Sequence, residues 1–248
     1  MTKKPLVIFD GDDTLWVTQP LYNEAKTDMQ AMVESVGFDP EIYLSELERL
    51  DVERVKGLGF KRERFPGSAL IAYEDLCSKM KREVDLDLSD KIYSRANAVF
   101  ETPAPLIDGA DEILKTLKSK FQLALLTKGA PSVQTPRIAV SGLASLFDSV
   151  HVVEDKTEKS YADVIKQHEV KGEQTCSIGN SVPSDILPAL ACGAYGLWLD
   201  VLSWNYDRRT ELKLNDNAIR IESLREVPEL VSKMLIDFKL LVENDLSL

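Results

Sequence analysis

The sequence contains few of the residues from which metal clusters, disulfide frameworks and nucleic-acid surfaces are built. Its three cysteines are widely spaced with no CxxC pair, and its two histidines fit no ligand spacing. We therefore expect neither a disulfide framework nor a cysteine–histidine metal site. Only 30 Lys and Arg residues stand against 41 Asp and Glu residues, a net charge of −11. Because general nucleic-acid binding requires clustered positive charge, nucleic acid is not expected as a partner.

Long hydrophobic runs are also missing. No apolar stretch approaches the roughly 20 residues that a membrane helix requires. The apolar run near the N-terminus, Pro5 to Phe9, is too short for a secretory signal and lacks a small-residue cleavage site. These features predict a cytoplasmic protein with no membrane partner. Apolar residues nonetheless make up 44% of the 248 residues, which is enough for a full hydrophobic core.

The hydrophobic pattern changes twice along the chain. The run Pro5 to Phe9 does not alternate with polar residues, which is typical of a central strand covered on both faces. Residues 17–102 instead carry apolar residues at helical spacing. We expect four helices there: one with Leu21 to Val36 on its apolar face, one beginning at Pro40, one from Ser68 to Val84, and one with Ser89 as its N-cap.

Strands and helices alternate from residue 103 onward. Apolar runs at Phe121–Leu126, Val150–Val153, Thr175–Ile178 and Ala194–Leu199 predict strands, and helical patterns separate them. Such alternation predicts an α/β fold in which a Rossmann-like, doubly wound parallel sheet carries helices on both faces. We therefore expect an α/β core of residues 1–16 plus 103–248, into which residues 17–102 are inserted as a helical cap.

The segments that directly follow the predicted strands carry the chemistry. They are Asp10-Gly11-Asp12-Asp13-Thr14, Thr127-Lys128-Gly129, Glu154-Asp155-Lys156, and Gly179-Asn180 through Asp185. Because ligands of such sheets bind at the carboxyl ends of the strands, these side chains should meet at one edge. A carboxylate can attack phosphorus, a second acid can transfer protons, and a hydroxyl and an ammonium group can hold phosphoryl oxygens. Carboxylate and amide oxygens suit Mg²⁺. The set indicates phosphoryl transfer.

These segments resemble the four motifs of the haloacid dehalogenase (HAD) superfamily, in its phosphatase branch. Asp10 to Thr14 is similar to the first motif, Thr127 to the second, Lys156 to the third, and Gly179-Asn180 through Asp185 to the fourth. The likeness covers nearly the whole chain, and residues 17–102 resemble the family's helical cap. It implies a Mg²⁺-dependent hydrolase that cleaves a small phosphorylated metabolite through an aspartyl-phosphate.

The resemblance also implies a role for each matching residue. Asp10 is the expected nucleophile, Asp12 the general acid and base, and Thr14 a support for the loop. The expected phosphate-binding residues are Gly11, Thr127, Lys128 and Lys156. Of these, Thr127 and Lys156 are also expected to take part in catalysis. The expected metal ligands are Asp10, Asp12 through its main-chain carbonyl, Asn180 and Asp185.

Three points stay open in this comparison. Asn180 stands where the fourth motif usually has an acid, so metal binding should be weaker, with Asp185 acting directly or through water. Lys159 is an alternative to Lys156, three residues away. In the cap, any of Lys61, Arg62 and Arg64 could reach a polar or anionic group of the substrate, or these residues could form a solvated connection between helices.

Other functions compete with phosphate ester hydrolysis. A metal-independent haloacid dehalogenase would also use Asp10, but those enzymes typically lack an acid at the position of Asp12. A phosphomutase would need a persistent aspartyl-phosphate. A non-catalytic, phosphate-binding regulatory relative is suggested by Asn180. A receiver-type signalling domain fits less well, because such domains are about half this length and lack the helical insert. The sequence does not reveal the substrate or the oligomeric state.

Overall fold

A computed structural model describes residues 3–200 and 217–237. Its core is a parallel sheet of six strands in the order β3-β2-β1-β4-β5-β6. The strands are β1 Leu6–Phe9, β2 Gln122–Lys128, β3 Ser149–Val153, β4 Thr175–Gly179, β5 Tyr195–Leu199 and β6 Ala218–Ile221. The predicted α/β fold with a doubly wound parallel sheet is therefore confirmed.

The position of β1 explains its uninterrupted apolar sequence. This strand lies between β2 and β4, and its four residues are fully buried. Val7 and Phe9 face one apolar cluster, and Leu6 and Ile8 face another on the opposite side of the sheet. Since both faces are covered, neither set of alternate positions tolerates polar side chains.

Ten helices accompany the sheet in the described part of the chain. They are α1 Gln19–Ser35, α2 Pro40–Glu53, α3 Val55–Leu58, α4 Arg64–Lys79, α5 Leu86–Ala98, α6 Ala110–Lys118, α7 Pro131–Ser141, α8 Glu158–Gln167, α9 Leu187–Ala191 and α10 Val227–Ser232. We expected a single helix from Ser184 to Cys192. The structure instead has a π-helical turn, Val182–Ile186, followed by α9.

We call helices α1 to α5 the cap, and four of them, α1, α2, α4 and α5, share one apolar cluster that contains no residue of the sheet. The expected N-cap of the fourth predicted helix is wrong. Asp85 caps α5 instead, since its Oδ1 accepts hydrogen bonds from the N–H groups of Asp87 and Leu88. Ser89 lies inside the helix, where its hydroxyl donates to the carbonyl of Asp85. A carboxylate four residues earlier provides the cap that we assigned to the serine.

Two chain segments lie side by side where the cap joins the sheet. Val17 donates its N–H to the carbonyl of Pro105 at 2.8 Å, and Ile107 donates to Leu15 at 2.9 Å. The segments that enter and leave the cap are thus bonded to each other. The exact division, with residues 17–102 as cap and 1–16 plus 103–248 as core, stays a prediction, and residues 201–216 and 238–248 of that core lie outside the described residues. Within the described ranges, no helix is both long and apolar enough to cross a membrane.

Candidate active site

The predicted site residues meet at the carboxyl edge of the sheet. Asp10 follows β1, Thr127 lies near the end of β2, and Asn180 follows β4. The chain order reverses between β1 and β4, so the loops after these two strands diverge and leave a crevice. A cavity of about 160 Å³ occupies this crevice. All residues predicted to be catalytic, to bind phosphate or to bind metal line it except Gly11, namely Asp10, Asp12, Thr127, Lys128, Lys156, Asn180 and Asp185.

Lys156 is held between two carboxylates at the bottom of the cavity. Its Nζ lies 2.5 Å from Asp10 Oδ1 and 2.6 Å from Asp185 Oδ1. Lys156 has a side chain that is 2% exposed, whereas the side chain of Lys159 is 83% exposed and pairs with Asp163. Of the two alternative lysines, the structure therefore brings Lys156 to Asp10.

The charges of this trio do not balance. Burial raises the pKa of Asp10 to about 7, Lys156 acts in the opposite direction, and Asp185 raises it further. Burial by itself lowers the pKa of Lys156, but the charges of Asp10 and Asp185 outweigh it and raise that pKa, so the ammonium stays protonated. One ammonium group thus serves two buried carboxylates, so the centre carries excess negative charge when both carboxylates are ionised.

Asp12 is oriented by three side chains that the sequence did not single out for this purpose. Its Oδ1 accepts from Trp16 Nε1 at 2.6 Å. Its Oδ2 accepts from Gln134 Nε2 at 2.8 Å and from Arg137 Nη1 at 2.9 Å. Gln134 and Arg137 are three residues apart on α7 and so face the same side of the helix. That spacing, directly after the second motif, marks them as neighbours on one helix face but does not show that this face points to Asp12.

The first-motif loop depends on a close approach at Gly11. A Cβ at this position would lie 2.5 Å from Trp16 Cζ2 and 3.3 Å from Thr127 Oγ1. The next turn carries Asp13 in the left-handed region, with a φ of 59°. Its carboxylate accepts from the N–H groups of Thr18 and Gln19 at 2.7 and 2.8 Å, which ties the loop to the start of α1.

A Gly11→Ala variant should therefore be strongly impaired in activity and less stable. The added methyl group must displace the Trp16 ring, which orients Asp12, so we expect a loss of about 1–3 kcal/mol in the free energy of unfolding together with a lower kcat. Urea unfolding and steady-state kinetics would measure both. Gly57→Ala is the matched control, because nothing lies within 4 Å of its Cβ. A Gly11→Ala protein as active and stable as this control would contradict the account of the loop.

Thr127 and Lys128 present donors to the cavity. The Thr127 hydroxyl is fully buried, and its Oγ1 has no hydrogen-bond partner within the described ranges. Lys128 Nζ donates to Ser184 Oγ at 2.9 Å, while the nearest acid, Asp155, lies 3.9 Å away. Both groups are thus available to an anion without breaking a tight ion pair.

The fourth motif forms a tightly wound loop after β4. Asp185 accepts a hydrogen bond from Lys156 Nζ through Oδ1, and one from the N–H of Ser181 through Oδ2 at 2.8 Å. A Cβ on Gly179 would lie 2.2 Å from Asp185 Oδ2, so a glycine is required there. Asn180 Oδ1 lies 3.5 Å from the hydroxyl of Thr14, the residue expected to support the first loop. The loop therefore turns both Asn180 and Asp185 toward Asp10.

The cap forms the other wall of the cavity. Its lining residues are Thr18, Gln19, Tyr22, Lys26, Asp51, Phe60, Arg64 and Phe65. Of the three basic cap residues that we considered, only Arg64 lies on this wall. Arg62 instead donates to Asn97 and Glu101 at 2.8 and 2.5 Å, and Lys61 is exposed.

Comparisons with known proteins find relatives among hydrolases. The chain is 30% identical over 124 residues to the HAD-hydrolase YfnB of Bacillus subtilis, an alignment that spans only about half of each protein, 48% of this chain and 52% of YfnB. It is 25% identical over 198 residues to glyceraldehyde 3-phosphate phosphatase of Methanopyrus kandleri, covering 75% of this chain and 80% of that enzyme.

Solved structures share the whole fold. A haloacid dehalogenase-like family hydrolase from Xanthomonas campestris superposes with a TM-score of 0.76 at 24% identity, over 94% of both chains. YfnB, whose structure was determined bound to magnesium, superposes with a TM-score of 0.63 at 19% identity, over 93% of this chain and 100% of that one. The sequence profile of the haloacid dehalogenase-like hydrolases matches residues 4–193. The chain therefore belongs to the haloacid dehalogenase-like hydrolase family.

Proposed function

We propose that this hydrolase is a magnesium-dependent phosphatase that cleaves a small phosphomonoester through an aspartyl-phosphate on Asp10. The observation that carries the proposal is the contact of Lys156 with Asp10 at 2.5 Å, at the base of a cavity that Asp12, Thr127 and Lys128 also line. A carboxylate, a proton-transfer group and phosphate-binding donors thus surround one space.

The donor atoms of the site fit Mg²⁺. Asp10, the main-chain carbonyl of Asp12, and Asn180 offer oxygen atoms at the cavity, and Asp185 can add one directly or through water. Within residues 3–200 and 217–237 no three His, Cys, Asp or Glu side chains are arranged as a metal site, which agrees with ligands drawn partly from a carbonyl and an amide. When both are ionised, the carboxylates of Asp10 and Asp185 outnumber the ammonium group of Lys156, which also favours a cation. When bound, Mg²⁺ would neutralise charge on the transferred phosphoryl group.

In the first step Asp10 attacks the phosphorus atom, and the ester oxygen leaves. Asp10 must be ionised to attack, and Lys156 keeps one carboxylate oxygen oriented. Thr127 and Lys128 bind the phosphoryl oxygens, on which negative charge must be neutralised in the transition state. Asp12 gives a proton to the leaving oxygen as a general acid, so the alcohol departs neutral.

In the second step Asp12 acts as a base. Having lost its proton, its carboxylate takes a proton from water, which attacks phosphorus and releases phosphate from Asp10. Trp16, Gln134 and Arg137 hold the carboxylate in place for this proton transfer.

The size of the cavity favours a small substrate. Its volume of about 160 Å³ is close to that of a cavity of ~150 Å³ that holds one benzene molecule. A phosphoryl group with an alcohol of a few carbons fits such a space. The relative from Methanopyrus kandleri is named for a triose phosphate, a substrate of this size.

Metal removal provides the direct test of the reaction class. We expect hydrolysis of p-nitrophenyl phosphate in Mg²⁺ and its loss in excess EDTA, with recovery when Mg²⁺ is restored. Phosphate ester hydrolysis that persists in EDTA would contradict the metal requirement. Turnover of haloacids without metal, and none of phosphate esters, would favour the dehalogenase alternative, which Asp12 argues against.

A Thr127→Val variant should separate binding from stability. The hydroxyl makes no hydrogen bond to a described residue, so its removal should leave the free energy of unfolding equal or up to about 1 kcal/mol higher. The value of kcat/KM for a phosphomonoester should nevertheless fall by roughly 10²-fold, because one donor to the phosphoryl group is lost. Thr116→Val, on the exposed face of α6, is the control. Unchanged kinetics would remove Thr127 from the phosphate site.

A further inference from the structure

The charges on the cap wall of the cavity are matched in pairs. Arg64 and Asp51 are buried, and Arg64 Nη1 lies 2.5 Å from Asp51 Oδ1 while also donating to the Asp51 main-chain carbonyl at 2.9 Å. Lys26 Nζ pairs with Glu48 at 2.8 Å. The other lining residues of the cap are uncharged, namely Thr18, Gln19, Tyr22, Phe60 and Phe65. With Glu48 included, the cap wall therefore carries no net charge.

On the core wall of the cavity, unlike the cap wall, one basic side chain has no close acidic partner among the described residues. Lys128, which lines the cavity, has its nearest acid 3.9 Å away and meets the face of Phe60 at 4.5 Å, so it can serve the phosphoryl group. Lys128 thus places an ammonium group without a close acid on the core side of the cavity, where phosphate is transferred. The alcohol part of the substrate would face the neutral cap wall.

We propose that the paired Arg64 and Asp51 make the enzyme selective for phosphomonoesters whose alcohol carries no second negative charge, with Asp51 as the positioning residue that neutralises Arg64. This inference rests on the proposed phosphatase function and specifies its substrate class. Arg64 would donate hydrogen bonds to hydroxyl or carbonyl oxygens of the leaving alcohol, and Asp51 would accept hydrogen bonds from its hydroxyl groups.

The physical reason is desolvation. A carboxylate on the leaving group would lose water in the cavity and would meet Asp51, a like charge, beside an arginine that is already neutralised. A neutral hydroxyl group loses less on desolvation and finds both donor and acceptor in the pair. Selectivity would therefore arise from rejection of the charged alcohol as much as from attraction of the neutral one.

A matched pair of substrates tests the proposal. Glycerol 3-phosphate and 3-phosphoglycerate have the same number of carbons, but only the second carries a carboxylate. We expect the wild-type kcat/KM to be at least about tenfold higher for glycerol 3-phosphate. In Asp51→Asn, the uncompensated charge of Arg64 should raise the ratio for 3-phosphoglycerate over glycerol 3-phosphate by roughly ten- to a hundredfold, mainly through a lower KM for the carboxylate. Asp51→Glu should restore the wild-type preference.

Asp28→Asn is the control for charge. Asp28 accepts from Arg95 at 2.5 Å in the same cap but does not line the cavity, so this variant should keep the wild-type ratio. If Asp51→Asn does not fold, as shown by its thermal unfolding, the wild-type ratio decides alone. Three results would each overturn this inference and leave the proposed function intact. They are equal or faster turnover of 3-phosphoglycerate by the wild type, turnover of neither ester while p-nitrophenyl phosphate is cleaved, and an unchanged ratio in folded Asp51→Asn. An absence of all phosphatase activity would overturn both.

Discussion

An Asp10→Asn variant is expected to lose phosphomonoester hydrolysis by about 10⁴-fold or more. The amide is close to the carboxylate in shape, but it is a poor nucleophile and cannot form the acyl-phosphate. Folding should survive, because Lys156 retains its contact with Asp185 at 2.6 Å. Steady-state phosphate release and the thermal unfolding midpoint would measure the two effects separately.

The control for Asp10→Asn is Asp163→Asn. Asp163 is an exposed acid of the same core, paired with Lys159 on the surface of α8, so its substitution should change neither rate nor stability appreciably. If Asp10→Asn hydrolyses phosphate esters at the rate of Asp163→Asn, Asp10 is not the nucleophile. A loss of structure in Asp10→Asn would show instead that the carboxylate is needed for folding.

A Lys156→Met variant should lose both activity and stability. Without the ammonium, Asp10 and Asp185 become two buried carboxylates with no counter-charge, which we expect to lower the free energy of unfolding by about 3–5 kcal/mol. The value of kcat should fall by at least about 10²-fold, because Asp10 is no longer oriented and the phosphoryl oxygens lose a cation. Urea unfolding in EDTA would isolate the stability effect from any compensation by metal.

Lys159→Met is the matched control, since it removes the same charge three residues away. Its exposed pair with Asp163 should contribute less than about 1 kcal/mol. The comparison also decides between the two lysines that the sequence left open. An impaired Lys159→Met beside a normal Lys156→Met would reverse the assignment of the third motif.

The sequence predicted strands β1 to β5 because buried parallel strands leave a direct signal, but it did not predict β6 at Ala218–Ile221. The uninterrupted run that ends at Phe9 and the acid that follows it specify both a central strand and its carboxyl end. Once the strands are parallel, residues that follow different strands must meet, and Asp10, Lys156 and Asp185 do so within hydrogen-bond distance. Long-range contacts were therefore predictable from local pattern and topology alone.

Contacts that depend on how a helix is rotated about its axis were not predictable. Gln134 and Arg137 reach Asp12 only because α7 turns that face toward the first loop, and the apolar pattern of α7 does not specify this orientation to within one side chain. The prediction of Ser89 as the N-cap of α5 failed for a related reason. Both residues can cap a helix, and packing decides which one begins it.

The cap shows a third limit. Lys61, Arg62 and Arg64 are close in sequence and alike in charge, yet one is exposed, one binds Asn97 and Glu101, and one lines the cavity. The difference follows from their positions around the start of α4 and from Asp51, which lies on another helix. Charge pairing between helices cannot be inferred from a basic segment alone.

The most direct test of the central claim is to trap the covalent intermediate. The wild-type protein would be mixed with a ³²P-labelled phosphomonoester in Mg²⁺, quenched in acid within one turnover, digested and mapped by peptide. The account predicts labelled phosphate on the peptide that contains Asp10, and no label in Asp10→Asn. Label on another residue, or full turnover with no covalent phosphate at any time, would contradict it.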